Sequence, residues 1–408
     1  MGQTIAGAGP GTGQTAYAIL CAISVCHFLN DTMQTLLPAL YPLFRSGLGL
    51  NFVQLGLLTL AFQVTGSLLQ PLIGRFTDRR PLPYSLPVGM TFTMAGILVL
   101  ARAANYPLLL VGAALIGIGS SIFHPESSRL ARIASGGRFG LAQSVFQVGG
   151  NLGQSIAPLV VAFFILPRGR GSLAWIAFLA LLGIVLLSGL GRWYQASGEA
   201  RPHGSRAPHA ESTLPLPAVR RALAVLIALI FSKFLYLSSI TNFYIFYLME
   251  HFHLATADAQ VCLFAFLAAV AVGTLVGGPL GDRVGRKYVI WASILGVLPF
   301  TLLLPYVGLG LTIALSIVIG LILSSAFSAI LVYGTELMPG RVGAISGLFF
   351  GLAFGIAGLG AAILGAVADW TSIEFVYRLC AFLPAIGLLA VFLPDVGRDG
   401  RVLRAARA

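Results

Sequence analysis

Long apolar segments follow one another along this chain of 408 residues, and they constrain its fold more than any other feature. Hydrophobic residues make up 57% of the sequence and charged residues only 9%, whereas a soluble protein has about 25% charged residues. A helix needs roughly 20 apolar residues to cross about 30 Å of hydrocarbon. The sequence therefore predicts an all-α membrane protein with twelve transmembrane helices, near residues 16–44, 52–74, 85–103, 107–130, 139–166, 172–194, 219–249, 257–281, 288–307, 309–335, 342–368 and 372–394.

The net charge of +12 is distributed unevenly between the two sides of these segments. If the N-terminus is cytoplasmic, nineteen Lys and Arg residues fall on the cytoplasmic side and five on the other. This bias follows the positive-inside rule, so we expect a multi-pass protein of the bacterial inner membrane with both termini in the cytoplasm. Attraction to the lipid bilayer explains the basic residues, and no nucleic-acid partner is predicted. No signal peptide is expected, and the chain is interpreted as a monomer.

The chain divides into two similar halves. Residues 195–218 are rich in Pro, Ser, His and charge, which predicts a cytoplasmic linker between bundles of six helices at 1–194 and 219–408. Gly74, Asp78 and Arg79 recur 204 residues later as Gly278, Asp282 and Arg283. Such a duplication is typical of transporters whose substrate site lies between repeats.

Two segments of the sequence resemble a known family. The stretch GPLGDRVGRK at 278–287 is similar to the cytoplasmic loop signature of the major facilitator superfamily, and GRFTDRRPLP at 74–83 keeps only part of it. Within that family, HFLNDTMQTLLPALYPLF at 27–44 and GSSIFHPESSRLAR at 119–132 resemble the fosmidomycin-resistance group of efflux transporters. The resemblance implies two pseudo-symmetric six-helix bundles around a central cavity, with spans two and eleven, and five and eight, in contact between them.

The loop signature contains residues that we expect to act as a conformational latch between the halves. A carboxylate at the end of a span can pair with a neighbouring guanidinium or accept from a helix N-terminus. The alternative is a solvated turn whose charges only follow the positive-inside rule and have no role in a latch. The latch residues are Gly74, Asp78, Arg79, Gly278, Asp282, Arg283, Gly285, Arg286 and Lys287.

Ionisable side chains within the predicted membrane region fall on spans one, four and seven only. They are His27, Asp31, His124, Glu126 and Lys233, with Arg129 near the membrane edge. A charge at the bilayer centre costs at least ~2.5–3.5 kcal/mol on insertion scales, so each is a functional candidate. We predict proton coupling by Asp31, with Glu126, His27 and His124 as further candidates. The alternatives are a fixed Asp31–Lys233 ion pair and a Glu126–Arg129 pair at i+3 spacing.

The polar side chains of the same spans and of span five suggest a site for a small anion. Positive character comes from Lys233, Arg129 and His27, and hydrogen bonds from Asn30, Gln34, Gln143, Gln147, Asn151, Tyr236 and Asn242. The resemblance implies a phosphonate antibiotic such as fosmidomycin as substrate. The sequence therefore predicts a proton-coupled exporter that works by alternating access. A proton-coupled importer of a small metabolite is the alternative.

Other classes of function lack support in the sequence. There is no nucleophile–base–orienter set with spacing that would suggest an enzyme. No Walker-type loop occurs, so transport is expected to use an ion gradient rather than ATP. No cofactor is expected, and no metal site is predicted because His124 and Glu126 lack the H-E-x-x-H spacing of a helical zinc site. Glycines 343, 347, 351 and 355 recur every four residues in span eleven, which fits either a moving or a static helix interface.

Overall fold

The first half of the chain forms a bundle of membrane-spanning helices. The computed structural model describes residues 15–79, 82–136, 138–197, 215–338 and 342–394. The helices of the first half are α1 Tyr17–Ala39, α2 Tyr41–Leu48, α3 Phe52–Arg79, α4 Ser85–Arg102, α5 Tyr106–Ala134, α6 Phe139–Val160, α7 Leu166–Arg168 and α8 Ala177–Ala196. A π-helical turn, Val161–Ile165, joins α6 to α7, and a 3₁₀ segment, Arg170–Ile176, leads into α8. 

The second half repeats this arrangement with more interruptions. Its helices are α9 Leu216–Phe252, α10 Thr256–Val284, α11 Arg286–Leu295, α12 Leu298–Leu303, α13 Leu309–Ser324, α14 Ala326–Leu337, α15 Val342–Trp370 and α16 Ile373–Cys380. The 3₁₀ segments Leu304–Tyr306 and Leu383–Phe392 extend α12 and the last span. Span ten is interrupted at Ser325, between α13 and α14.

Apolarity alone identifies eleven of the predicted spans within the described ranges. The first span, α1, falls outside that set although its 23 residues would cover about 35 Å. Its lower apolarity comes from the polar group His27, Asn30, Asp31 and Gln34, all of which are buried inside the bundle. The all-α architecture predicted from the sequence is confirmed, and the part of the chain that the structure describes contains no β-strand.

The two halves pack against each other along two helix pairs. Helix α3 packs against α15, and α6 packs against α10, as the family resemblance implied for spans two and eleven and for spans five and eight. Within the first bundle, α1 lies between α6, α5 and α8. The linker predicted at 195–218 falls largely on residues 198–214, which lie outside the described ranges, and the domain boundaries stay a prediction.

Contacts between the bundles are dense at one end of the molecule. We call this the outer end; there α3 begins and α15 ends, while α6 and α15 begin at the opposite, inner end. Asp369, near the end of α15, accepts hydrogen bonds from the backbone N–H groups of Phe52 (2.9 Å) and Val53 (2.8 Å) at the start of α3. Arg45 pairs with Glu250 at 2.7 Å. A carboxylate at a helix N-terminus satisfies donors that have no partner within the helix.

The helix pair α3–α15 is close at the outer end and separated toward the inner end. A Cβ at Gly365 would lie 2.4 Å from the backbone oxygen of Phe52, and one at Gly56 would lie 2.3 Å from that of Ala361. At Gly351 and Gly355, nearer the inner end, a Cβ would meet no atom of the described residues within 4 Å. The predicted stripe of small residues in span eleven is therefore not packed along its whole length.

This difference predicts opposite effects for one substitution at two positions of α15. Gly365→Ala should destabilise the protein by about 1–3 kcal/mol, because the new methyl group overpacks the contact with α3. Gly351→Ala should leave the protein as stable or slightly more stable, because alanine favours a helix over glycine by about 0.5–1 kcal/mol. Thermal unfolding of both variants in the same detergent provides the measurement. Equal loss of stability at both positions would contradict the separation described.

Candidate functional site

The centre of the first bundle holds the buried carboxylate of Asp31. Asp31 lies on α1, and 3% of its surface is exposed. Asn30 Nδ2 donates to its Oδ1 at 3.1 Å, and Gln154 Nε2 of α6 donates to its Oδ2 at 2.8 Å. Two amide donors thus satisfy part of the hydrogen-bonding capacity of a carboxylate that would be costly to bury alone.

Two histidines complete the surroundings of Asp31. His27, one helical turn earlier on α1, has its Nε2 3.3 Å from Asp31 Oδ2. His124 reaches the site from α5, with its Nε2 3.5 Å from Asp31 Oδ1. We call these three residues the Asp31 cluster. The sequence predicted each member separately, and the packing of α5 against α1 brings them together.

Backbone carbonyl groups fix the orientation of both imidazole rings. His27 Nδ1 lies 2.8 Å from the carbonyl oxygen of Phe146, and His124 Nδ1 lies 3.1 Å from that of Ser120. Since a carbonyl oxygen only accepts, each Nδ1 must carry a proton. In a neutral imidazole the Nε2 atom is then a lone-pair acceptor. Both Nε2 atoms face the Asp31 carboxylate, so the cluster brings three hydrogen-bond acceptors together. A proton or another cation between these acceptors is needed to stabilise them.

A glycine of α6 makes room for the cluster. A Cβ at Gly150 would lie 2.4 Å from His27 Cε1 and 3.0 Å from Asp31 Oδ2. The ring of His27 also stacks on Phe146, with 3.9 Å between the ring centroids. Helix α6 therefore shapes the cluster in several ways. Gly150 leaves space for the His27 ring, Phe146 stacks on that ring and accepts from it through its carbonyl oxygen, and Gln154 donates to Asp31.

The Asp31 cluster borders two chambers between the bundles. The outer chamber has a volume of about 210 Å³ and the inner chamber about 280 Å³. Asp31, His124, Gln154, Gln70 and Phe354 line both chambers. Both volumes are near the lower limit of about 300 Å³ for small-molecule pockets, which favours a small ligand.

Most of the amide side chains predicted to bind substrate line these chambers. Gln34 and Asn242 line the outer chamber, while His27, Gln143, Gln147 and Asn151 line the inner one. Asn30 is buried beside Asp31. Tyr236 is also buried and lines neither chamber.

Lys233 occupies a different place from the one expected. It is buried on α9, and its Nζ donates to the backbone oxygen of Ser324 at 3.3 Å. Ser324 ends α13, where exposed carbonyl dipoles favour a cation. The rings of Phe234 and Phe327 lie 5.5 Å from Nζ. Lys233 lines neither chamber, so the expected sharing of one cavity by Asp31 and Lys233 does not occur in this structure.

Glu126 and Arg129 form the pair that was the alternative interpretation of this segment. Their side chains are 3.4 Å apart at i+3 spacing on α5. Arg129 also donates to the backbone oxygen of Thr77 at 2.9 Å and to its Oγ1 at 3.1 Å, which ties α5 to the last turn of α3. Neither residue lines the chambers. Their geometry is that of a structural link at the inner end.

Six of the predicted latch residues belong to the inner ends of α3 and α10, and their role as a latch stays a prediction. Gly74, Asp78 and Arg79 belong to the last turns of α3, and Gly278, Asp282 and Arg283 to those of α10. The side chains of Asp78, Arg79 and Asp282 lie outside the description. Gly285 has a φ of +104°, which favours glycine at the turn into α11. There Lys287 follows Arg286, which forms an ion pair with Glu336 of α14.

Sequence reasoning missed Gln154, Gln70 and Gly150 as members of the site. Gln154 belongs to the segment GQSIAP in span five, and its amide among apolar residues was the available signal. Gly150 gave no signal, since many glycines occur in the spans. Only the contact between α1 and α6 shows that Gly150 faces His27.

Comparison with known proteins agrees with this architecture. The sequence matches the family model of the Major Facilitator Superfamily over residues 23–249 and 226–408. It is 56% identical over 397 residues to the fosmidomycin resistance protein of Escherichia coli (strain K12), covering 96% of this chain and 97% of that protein. It is 43% identical over 385 residues to the uncharacterized MFS-type transporter YfnC of Bacillus subtilis (strain 168), covering 94% of each.

Solved structures share the fold at low sequence identity. A bacterial homologue of the human lysosomal transporter Spinster superposes with a TM-score of 0.67 at 16% identity, covering 94% of this chain and 95% of that one. The nucleoside transporter NupG superposes with a TM-score of 0.71 at 14% identity, covering 91% and 98%. The protein is a transporter rather than an enzyme, and the chain belongs to the major facilitator superfamily.

Proposed function

We propose that this protein exports a small anionic drug of the fosmidomycin type in exchange for protons, by alternating access. The observation that carries the proposal is the 56% identity to a fosmidomycin resistance protein across 96% of the chain. The Asp31 cluster between two chambers supports the proton coupling. The importer alternative is not favoured, because a transporter that confers resistance to an antibiotic has to lower its concentration in the cell.

The proton is proposed to be held between Asp31 and the two imidazoles. The three acceptors that converge there need a positive charge, and Asp31 and His124 also border both chambers. A proton can therefore enter the cluster from one chamber and leave through the other. Gln154 and Asn30 hold the carboxylate in place during this exchange. Glu126 is paired with Arg129 outside the chambers and has no part in this scheme.

The substrate is proposed to bind beside the cluster through amide donors. Gln34 Nε2 in the outer chamber and Asn151 Nδ2 in the inner chamber are buried, with no hydrogen-bond partner among the described residues. Oxygens of a phosphonate would satisfy these donors. Because Asp31 and His124 line the same chambers as these amides, substrate and proton share one site, and binding of one can exclude the other, as exchange requires.

Alternating access is supported by the unequal packing of the two ends. At the outer end, Asp369 joins α15 to α3, and Gln260 donates to the backbone oxygen of Ala39. At the inner end, Gly351 and Gly355 leave space beside α15. We propose that the bundles rock so that the inner end closes as the outer contacts separate. We propose that Asp78 and Asp282, whose side chains lie outside the described residues, latch that closed inner end.

Drug susceptibility tests the proposed function directly. A sensitive bacterial host that expresses this chain should tolerate several-fold more fosmidomycin than the same host with an empty vector. Everted membrane vesicles should release a preformed proton gradient when fosmidomycin is added. Unchanged susceptibility at normal expression would overturn the proposal.

The Asp31→Asn variant should lose this resistance while it remains in the membrane. The amide cannot take up and release a proton, although it keeps the size and most hydrogen bonds of the carboxyl group. Asp258→Asn is the matched control, because Asp258 lies in the exposed first turn of α10. Resistance, expression and proton release should be measured for both variants. An Asp31→Asn variant with full resistance would exclude the proton role.

Asp369→Asn should shift the protein toward a state that is open at the outer end. Its carboxylate accepts from two backbone N–H groups with two oxygens, whereas an asparagine has a single acceptor oxygen. The readout is the reaction of a cysteine placed at Thr59, which is buried in the outer chamber, with a membrane-impermeant maleimide. All four native cysteines should be replaced first. Faster labelling is expected, and an unchanged rate would show that Asp369 does not hold this end closed.

A further inference from the structure

We propose that His27, Asp31 and His124 form a binding site for a divalent transition-metal ion such as Zn²⁺ or Co²⁺, open to the two chambers. One ligand atom from each residue lies within 4.8 Å of the others. This is the one such group among the described residues. Binding itself does not depend on the proposed transport function.

The distances between donor atoms suit a metal ion. With bonds of about 2.0–2.1 Å at tetrahedral angles, neighbouring ligand atoms are about 3.3 Å apart. The Nε2 atom of His27 is 3.3 Å from Asp31 Oδ2, and that of His124 is 3.5 Å from Asp31 Oδ1. The two imidazoles face different oxygens of the carboxylate, and the three ligand atoms lie within 4.8 Å of one another, so the side chains would draw closer together around one ion.

The orientation of the imidazole rings is that of metal ligands. A histidine that binds a metal through one nitrogen usually donates from the other to a carbonyl or carboxylate group. Here both Nδ1 atoms face backbone carbonyl oxygens, and both Nε2 atoms face Asp31. His27 Nε2 is buried and makes no hydrogen bond of acceptable geometry in the described part of the chain. This second observation favours a cation as the partner of this nitrogen.

The site would leave a coordination position open toward the chambers. Three protein ligands with an open fourth position are typical of metal sites that take up a water or an anion. The side chain of His124 is 25% exposed, whereas those of His27 and Asp31 are almost fully buried. The open position therefore lies on the His124 side. A metal ion bound by the cluster would occupy the lone pairs of the two imidazoles and the carboxylate that otherwise bind protons.

Cobalt binding to the full-length protein tests the proposal. The chain should be purified with a tag that contains no histidine, and Co²⁺ should be added in detergent while the visible absorption is recorded. We expect one equivalent to give the intense absorption of tetrahedral Co²⁺, which Zn²⁺ then removes. Absence of a saturable spectrum at one equivalent would overturn the proposal.

Variants identify the ligands. His124→Ala should weaken Co²⁺ binding by more than the roughly 10–100-fold that loss of an outer-shell partner costs. His251→Ala is the control, because His251 pairs with Glu374 at the outer end, away from the cluster. His27→Ala should also lose binding, and size-exclusion chromatography checks that each variant is folded. If His27→Ala does not fold, His124→Ala alone provides the test, because His124 is more exposed. Unchanged Co²⁺ binding in His124→Ala would exclude this site.

A transport measurement then separates this proposal from the proposed function. Zn²⁺ should inhibit fosmidomycin-induced proton release in vesicles, and His251→Ala should remain equally sensitive. Inhibition rests on the proposed function, because it requires the cluster to carry the proton. Cobalt binding without inhibition by Zn²⁺ would confirm the metal site and contradict the proton role of the cluster.

Discussion

The contact between the Asp31 carboxylate and two oriented imidazoles joins α1 to α5 at the centre of the first bundle. A charge at the bilayer centre is costly on its own, at least ~2.5–3.5 kcal/mol on insertion scales. Asn30 and His27 of α1 reduce this cost, and α5 and α6 reduce it further by bringing His124 and Gln154 to α1. Gly150 then has to be a glycine, because its neighbour His27 fills the space of a side chain. The contacts of Asp31 thus explain both why α1 contains polar residues and why this helix is buried inside the bundle.

The two bundles are related in sequence but differ in chemistry. The first holds a carboxylate with histidines beside the chambers, while the second holds Lys233 at the break between α13 and α14. Lys233 has carbonyl oxygen and aromatic faces as neighbours rather than a carboxylate. Duplication therefore preserved the helical frame and the loop signature, whereas the charged centres diverged. Such divergence agrees with the proposal that the first bundle carries the cation site.

The interface between the bundles is packed unequally along its length. Helices α3 and α15 run antiparallel, and their contact is tight where Asp369 meets the N-terminus of α3. Toward the inner end the same pair separates at Gly351 and Gly355. Because small residues lie at both ends of α15, the pair can close at either end without large side chains in the way. This property agrees with the proposal that the chambers beside Asp31 open alternately.

The sequence by itself determined the membrane fold and its two halves, because apolar length and charge bias can be counted along a chain. It also identified His27, Asp31 and His124 as individual candidates. Only the tertiary structure decided that these three meet, that Gln154 and Gly150 join them, and that Lys233 does not. The physical reason is that spacing along a helix gives height in the membrane, whereas the direction in which a side chain points depends on how each helix is rotated against its neighbours.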